Sequence, residues 1–389
     1  MPIKELLTWQ DTKDISPKEN IIPSPCNLGK EMKEEGIKIE MPENWHPPLI
    51  DGNWEGKSFI SVEQLTEKDM TAILNSAAAI INTRTGGLVR EKTMLAKWLY
   101  PDTEMLTAFY ETSTRTRDSF EVAVQLLGGS FVSNPDMVKL SSAYKGESVA
   151  DNAKVMACYA PLIVQRHPHL GAAAIAAYAI KDFMRIDGKK AQIINAGDGA
   201  GEHPTQALLD VATIVWEKEL KNKDNLKHLR IGMLGDLKNG RTVHSLTKLL
   251  TLLGGPKEFF FISPKELAMP KDVLDHSLTK GQNITVTENL EGALPVLDVL
   301  YITRIQKERF EDPMVYEKLK GKYIVTPKTL IMAKKELTIM HPLPRVDEIH
   351  PSVDNDPRAA YFRQVEYGLY VRMALLCQMV GRPYPGNNH

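Results

Sequence analysis

The 389-residue chain is poor in cysteine: Cys26, Cys158 and Cys377 are its only three, far apart, with no Cys-x-x-Cys and no Cys/His pair at ligand spacing. A disulfide framework and a structural zinc centre both lack their residues, and a reducing compartment is the simplest setting. An excess of one charge is missing as well, since 48 Lys and Arg face 49 Asp and Glu. No field over the whole molecule points to nucleic acid or to an anionic membrane, so any anion must be held by a local cluster. No apolar run reaches the ~18 residues of a membrane helix. The Walker pattern is absent, which removes the main support for a nucleoside triphosphate. There is no serine in a G-x-S-x-G elbow and no cysteine beside a motif histidine, so a covalent intermediate lacks its nucleophile.

What remains is a globular composition, 43% hydrophobic and 25% charged, in a chain too long for one core. Residues 1–53 differ from the rest. Their prolines, from Pro2 to Pro48, and the Lys/Glu run Lys30 to Glu40 describe an extension or linker. It has no apolar h-region and too many acids for a mitochondrial presequence, which points to a cytosolic protein. From Ile60 onward short apolar runs alternate with helical patterns, the rhythm of parallel βαβ units. We expect an α/β protein of two parallel-sheet domains facing a cleft and linked by helices. One domain spans 54–217 plus 361–389 and the other 218–360, with the charged stretch Glu217 to Lys227 at the boundary.

The stretch on which the chain turns is Phe109 to Phe120. Met105 to Tyr110 reads as a buried strand, and Phe120, Ala123, Val124 and Leu127 follow at the spacing of one helix face. Between them, Ser113-Thr114-Arg115-Thr116-Arg117 places backbone N–H groups, hydroxyls and two guanidinium groups at a helix N-terminus. That combination is an anion site. A plain N-cap needs a single hydroxyl, whereas this turn repeats it and alternates it with positive charge.

Further cations recur just past predicted strands or in the following loops: Arg166, His203, Arg241, Arg304 and the segment His341 to Arg345. Open parallel sheets place ligands at those ends. After the strand Ile193 to Ala196 comes Gly197-Asp198-Gly199-Ala200-Gly201. Its G-x-G-x-G spacing differs from the dinucleotide fingerprint, so we read a tight turn presenting His203 and Gln206. A phosphate at one end and paired guanidinium groups suited to carboxylates at the other imply a small phosphorylated compound and a dicarboxylate. Direct attack of an amine on an activated carbonyl fits, and such a step needs orientation and donors for a developing oxyanion.

At Ser113–Arg117 the chain resembles the carbamoyltransferases, and the likeness runs from about Trp54 to about Arg382. It is most similar to the aspartate carbamoyltransferases, especially the domain of the animal multifunctional pyrimidine-synthesis protein. The resemblance implies that Ser113, Thr114, Arg115 and Thr116 bind the phosphate of carbamoyl phosphate, with Arg166 close to it. Arg115 and His203 would polarise the carbonyl, His203 as a neutral donor. Gln206 and the backbone carbonyls of Leu343 and Pro344 would hold the carbamoyl amino group. Arg241, Arg304 and Gln306 would grip L-aspartate, joined by Lys145 from a neighbouring subunit. Ser141 and Lys145, in Ser141 to Glu147, resemble the family's mobile loop, which implies a homotrimer with shared sites. Glu111 would tie the closed domains together by pairing with arginines such as Arg241. No cofactor and no metal is implied, and other pyrimidine-synthesis domains are possible associates.

Three alternatives bear on this reading. Ornithine carbamoyltransferase would carry His-Cys-Leu-Pro where this chain has His341-Pro342-Leu343-Pro344. A non-catalytic scaffold domain would have no need of Ser113–Arg117, His203 and Arg304. A dinucleotide oxidoreductase has the wrong glycine spacing. The C-terminal helix is expected over Tyr361 to Met379, with Phe362, Val365, Leu369, Met373 and Leu376 on its packed face.

Overall fold

The computed structural model describes residues 45–99, 103–137, 146–221, 223–306 and 312–385, together with positions 41, 42 and 310. The chain divides into two compact units. One contains the described residues up to Thr205 and those from Gly368 onward, and the other is Gln206–Tyr367.

In the first unit, helix α1 (Glu67–Gly86) starts at a capping box in which Thr66 and Asp69 exchange hydrogen bonds. This pairing satisfies two of the helix's orphan donors. Helix α2 (Val89–Leu95) leads into strand β1 (Glu104–Phe109), helix α3 (Thr114–Leu126) and strand β2 (Ser130–Asn134). Then come α4 (Val149–Tyr159), β3 (Leu162–His167), α5 (Ala172–Ile180), β4 (Gln192–Asp198) and the start of α6 (Pro204–Glu217). The four strands are parallel in the order β2-β1-β3-β4. Ser58 to Ile60 extends the sheet beyond β4, with the Phe59 amide donating to the Ile193 carbonyl at 2.8 Å.

Phe120, Ala123, Val124 and Leu127 are all fully buried, so the i, i+3, i+4, i+7 spacing marks the packed face of α3. Five alanines of α5, Ala172, Ala173, Ala174, Ala176 and Ala177, are buried and let it lie close to its neighbours. The sheet order reverses direction between β1 and β3, and their carboxyl ends therefore frame a crevice.

In the second unit the strands are β5 (Arg230–Leu234), β6 (Glu258–Ile262), β7 (Ile284–Thr287), β8 (Val299–Ile302) and β9 (Thr338–Met340). All are parallel, in the order β7-β6-β5-β8-β9, with β7 at the edge. The helices are α7 (Arg241–Leu252), α8 (Lys271–Thr279), α9 (Leu290–Ala293), α10 (Pro313–Leu319) and the first part of α11 (Tyr361–Met379). Here the order reverses between β5 and β8. Gly235 closes β5 at φ 113°, and a Cβ there would lie 2.2 Å from the Thr303 carbonyl oxygen. Only glycine lets the loops after β5 and β8 approach so closely.

Helix α11 spans the residues expected, and Met373 and Leu376 of the expected face are buried, but its first two turns present a different face inward. Phe362 is 56% exposed and Val365 46%, while Tyr361 and Gln364 are buried. The reason is polar. Gln364 has a buried partner on each end of its amide, described below, and that outweighs the apolar pattern in the first two turns. From Tyr370 onward the helix is buried on all sides up to Met379. No helix among the described residues is long and apolar enough to cross a membrane.

Candidate active site

The turn after β1 occupies the reversal point of the first sheet. Ser113 takes the N-cap position of α3 with extended backbone (φ −156°, ψ 100°), but its hydroxyl makes no cap hydrogen bond. Thr114 and Arg115 are exposed and Thr116 is buried. Arg117 is turned back on its own helix, donating to Asp118 at 2.9 Å and lying 3.6 Å from Glu121. Arg115 is therefore the exposed guanidinium of the pair, beside the N–H groups and dipole of α3.

Two neighbouring strands bring cations and a histidine to this turn. Arg166 lies within β3, one position before its end. Its Nε sits 3.2 Å from Glu111 Oε2, and its Nη1 donates to the Ala196 carbonyl at 3.3 Å. Glu111 thus has its described ion pair inside the first unit. His203 follows β4 and is 4% exposed. Its Nε2 is 3.5 Å from Thr116 Oγ1, and its Nδ1 is 3.4 Å from Thr205 Oγ1.

The loop that carries His203 is braced by acids. Asp198 is buried and accepts from the amides of Glu202 (2.9 Å) and Gly171 (3.0 Å). Burial pushes its carboxyl up to about 6, against the pull of the Glu202 and Gly171 amides. Glu202 reaches back to the hydroxyl of Ser61 (2.7 Å) and the amide of Val62 (3.1 Å). Gly199, at φ 51°, has no room for a Cβ, which would meet Pro168 O and Leu170 N at 2.8 Å. So the glycines serve a tight turn.

In the second unit, the loops after β5 and β8 are laced together at the second reversal point. Buried Asp236 accepts from the amide of Asn239 at 3.0 Å and from that of Gln306 at 3.4 Å. Burial raises its carboxyl, partly offset by those amides. Gln306 Nε2 donates to the Asn239 carbonyl at 3.1 Å. Arg241 is the first residue of α7, and Arg304 is two positions past β8. The expected aspartate-binding residues therefore sit on loops tied to each other.

Past β9, His341 is 1% exposed, with Nε2 donating to Glu348 at 2.7 Å and Nδ1 accepting from the Leu343 amide at 2.8 Å. Burial opposes the charge of Glu348, yet the His341 bond and nearby amides take its carboxyl below the ordinary value. Leu343 has φ 55° and is followed by a cis peptide bond to Pro344. Arg345 donates to Asp354 at 2.6 Å and lies over the Tyr361 ring at 5.3 Å, so it anchors the segment.

Gln206, on α6, donates its side-chain nitrogen to Asp210 at 2.8 Å. Asp210, Tyr301, Gln364 and Glu348 were not singled out by the sequence. The signal for Asp210 was a carboxylate four residues after Gln206 on an otherwise apolar helix face, Ala207 to Val215. Ser141 and Lys145 lie outside the described residues.

A family model described as aspartate/ornithine carbamoyltransferase, carbamoyl-P binding domain, matches residues 57–215. Its companion, the Asp/Orn binding domain, matches residues 227–379. The chain belongs to the aspartate/ornithine carbamoyltransferase family. Several of its relatives are named aspartate carbamoyltransferase catalytic subunits. It is 44% identical to the aspartate carbamoyltransferase catalytic subunit of Thermococcus onnurineus, over 84% of this chain and 98% of that protein. It is also 44% identical to the multifunctional protein pyr1-3 of Dictyostelium discoideum, over 86% of this chain but only 14% of that protein. Among solved structures, aspartate transcarbamoylase from Trypanosoma cruzi in complex with carbamoyl phosphate superposes with a TM-score of 0.73 at 38% identity, covering 86% of this chain and 98% of that one. The same enzyme in complex with carbamoyl aspartate and phosphate superposes with a TM-score of 0.72 at 38% identity, covering 85% of this chain and 97% of that one.

Proposed function

We propose that the protein is an aspartate carbamoyltransferase, converting carbamoyl phosphate and L-aspartate to N-carbamoyl-L-aspartate and phosphate in pyrimidine synthesis. The observation that carries the reading is the turn Ser113–Thr116, a helix N-terminus with an uncapped serine and an exposed arginine, in a chain of this family. In this reading the first unit takes the phosphate of carbamoyl phosphate and the second takes aspartate.

The phosphate rests on Ser113, Thr114, Arg115 and Thr116, with Arg166 beside them. With the Thr205 hydroxyl beside Nδ1 of His203, a neutral imidazole that carries its proton on Nε2 can donate to the carbonyl oxygen. Arg115 supplies the charge that stabilises the developing oxyanion and then the leaving phosphate. Gln206 and the carbonyls of Leu343 and Pro344 hold the carbamoyl amino group, while Arg241, Arg304 and Gln306 orient the aspartate carboxylates. The amine attacks the carbonyl carbon directly. The carbon–nitrogen bond forms, the carbon–oxygen bond to phosphate breaks, and the proton lost by the amine leaves with the phosphate.

Ser141 and Lys145 complete the site from a neighbouring subunit of a homotrimer, and the protein works in the cytosol. The test is a product assay with carbamoyl phosphate and either aspartate or ornithine, on protein whose mass in solution is known. Carbamoyl-aspartate from a trimer supports the reading. Carbamoyl-ornithine would overturn the roles of Arg304, Gln306 and Lys145, and no product from folded trimer would leave a scaffold.

A further inference from the structure

A single buried carboxylate links the groups assigned to the carbamoyl amino group. Asp210 is fully buried. One of its oxygens accepts from Gln206 Nε2 at 2.8 Å and from Gln364 Nε2 at 2.6 Å, and the other accepts from the Tyr301 hydroxyl at 2.8 Å. An ionised carboxylate only accepts, so it decides which end of each amide faces it. Both glutamines must turn nitrogen toward Asp210 and oxygen away. The oxygen of Gln364 accordingly accepts from the backbone N–H of His341 at 3.0 Å. His341 Nδ1 in turn accepts from the amide of Leu343 at 2.8 Å, and its Nε2 donates to Glu348 at 2.7 Å. Every link has a defined donor, and Gln206, Tyr301, Gln364, His341 and Glu348 are each less than a tenth exposed. The chain thus runs without a break from the Gln206 side chain to the backbone of Leu343.

We propose that Asp210 is a positioning residue for carbamoyl recognition. By holding the nitrogen of Gln206 it turns the Gln206 oxygen outward, and through Gln364 and His341 it fixes the backbone whose carbonyls belong to Leu343 and Pro344. The result is an acceptor-only set that an amino group satisfies and a methyl group does not. An acyl phosphate without N–H leaves those acceptors unpaired, and that is how a site rejects a close isostere. The inference rests on the roles proposed above for Gln206, Leu343 and Pro344.

The probe is acetyl phosphate, which has a methyl group where carbamoyl phosphate has its amino group. Asp210→Leu should lower kcat/KM for carbamoyl phosphate by about 10–100-fold, while inhibition by acetyl phosphate moves less than about twofold. Asp210→Asn should recover most of the loss, because its one oxygen can take both glutamine nitrogens while its NH2 faces the Tyr301 hydroxyl. In a Gln206→Ala background, Asp210→Leu should cost at most about threefold more. Should Asp210→Leu fail to fold, Gln364→Leu, which leaves Gln206 and Tyr301 on Asp210, should show the same selective loss to a smaller degree. Equal weakening of both acyl phosphates, full additivity with Gln206→Ala, or unchanged kinetics in Asp210→Leu would each overturn the proposal. Wild-type kinetics in Gln206→Ala alone would instead remove the role of Gln206 from which the proposal starts.

Discussion

The side chain of Gln306 donates to the main-chain carbonyl of Asn239 at 3.1 Å, joining the loop that carries Arg304 to the loop that precedes Arg241. Two guanidinium groups can grip a dicarboxylate only if their spacing is fixed, and this contact fixes the loops that bear them. Arg304→Ala should therefore raise KM for aspartate by about 10–100-fold, and leave the affinity for carbamoyl phosphate within about threefold. Steady-state kinetics with each substrate varied in turn would show it. An equal loss for both substrates would contradict the assignment.

Arg115 is expected to act on the reacting atoms and contribute little to the fold. It is exposed in the first turn of α3, so Arg115→Ala should keep the thermal midpoint within a few degrees while turnover falls by about a thousandfold. If the sites are shared in a homotrimer as proposed, mixing Arg115→Ala and Lys145→Ala subunits should restore part of the activity, since some sites would then lack neither mutated residue. Absence of recovery in demonstrated mixed trimers would rule out sharing.

Gly235→Ala tests the second reversal point. The new Cβ would lie 2.2 Å from Thr303 O on a backbone at φ 113°, and both the contact and the conformation oppose it. A loss of about 2 kcal/mol or more in urea unfolding is expected, with a raised KM for aspartate because Thr303 leads directly to Arg304. A fully stable variant would mean that the loops can separate at little cost.

Acid should weaken the protein through His167. Burial, and then the neighbouring His169, lower its imidazole to about 3, so between there and the ordinary 6.5 the unfolded chain binds a proton that the folded chain does not. Stability is then complete above the unfolded value and falls as pH drops. By pH 5 the loss is about 2 kcal/mol. Asp198, raised to about 6, works in the opposite direction, because below that value the folded protein holds a proton that the unfolded chain has released. His167→Asn, which keeps an acceptor for the His169 amide, should turn the fall between pH 6.5 and 5 into a slight rise. Urea titrations at the two pH values would decide.

Much of this was legible in the sequence because period and punctuation agree with burial. The run Met105 to Phe109 and the α3 spacing identify themselves, and cations at strand ends need only the rule that parallel sheets bind at carboxyl ends. The buried polar chain was not legible. Gln364 lies in a helix whose Phe362 and Val365 look like the packed face, and nothing local says that an amide with two waiting partners will displace them. Asp210 and Tyr301 are separated by 91 residues, so their meeting depends on strand order, which no local pattern encodes.

Ser113 shows what such a site does to the resting protein. A serine at an N-cap that bonded its helix would add about 1 kcal/mol, and this one leaves that bond unmade. Ser113→Ala should accordingly be nearly silent in thermal melts without ligand. If the proposed phosphate completes this helix end, inorganic phosphate at millimolar strength should protect the enzyme against heat. Selection for heat resistance in this family would then meet a conflict at this position, since a better internal cap would compete with the substrate for the same amides.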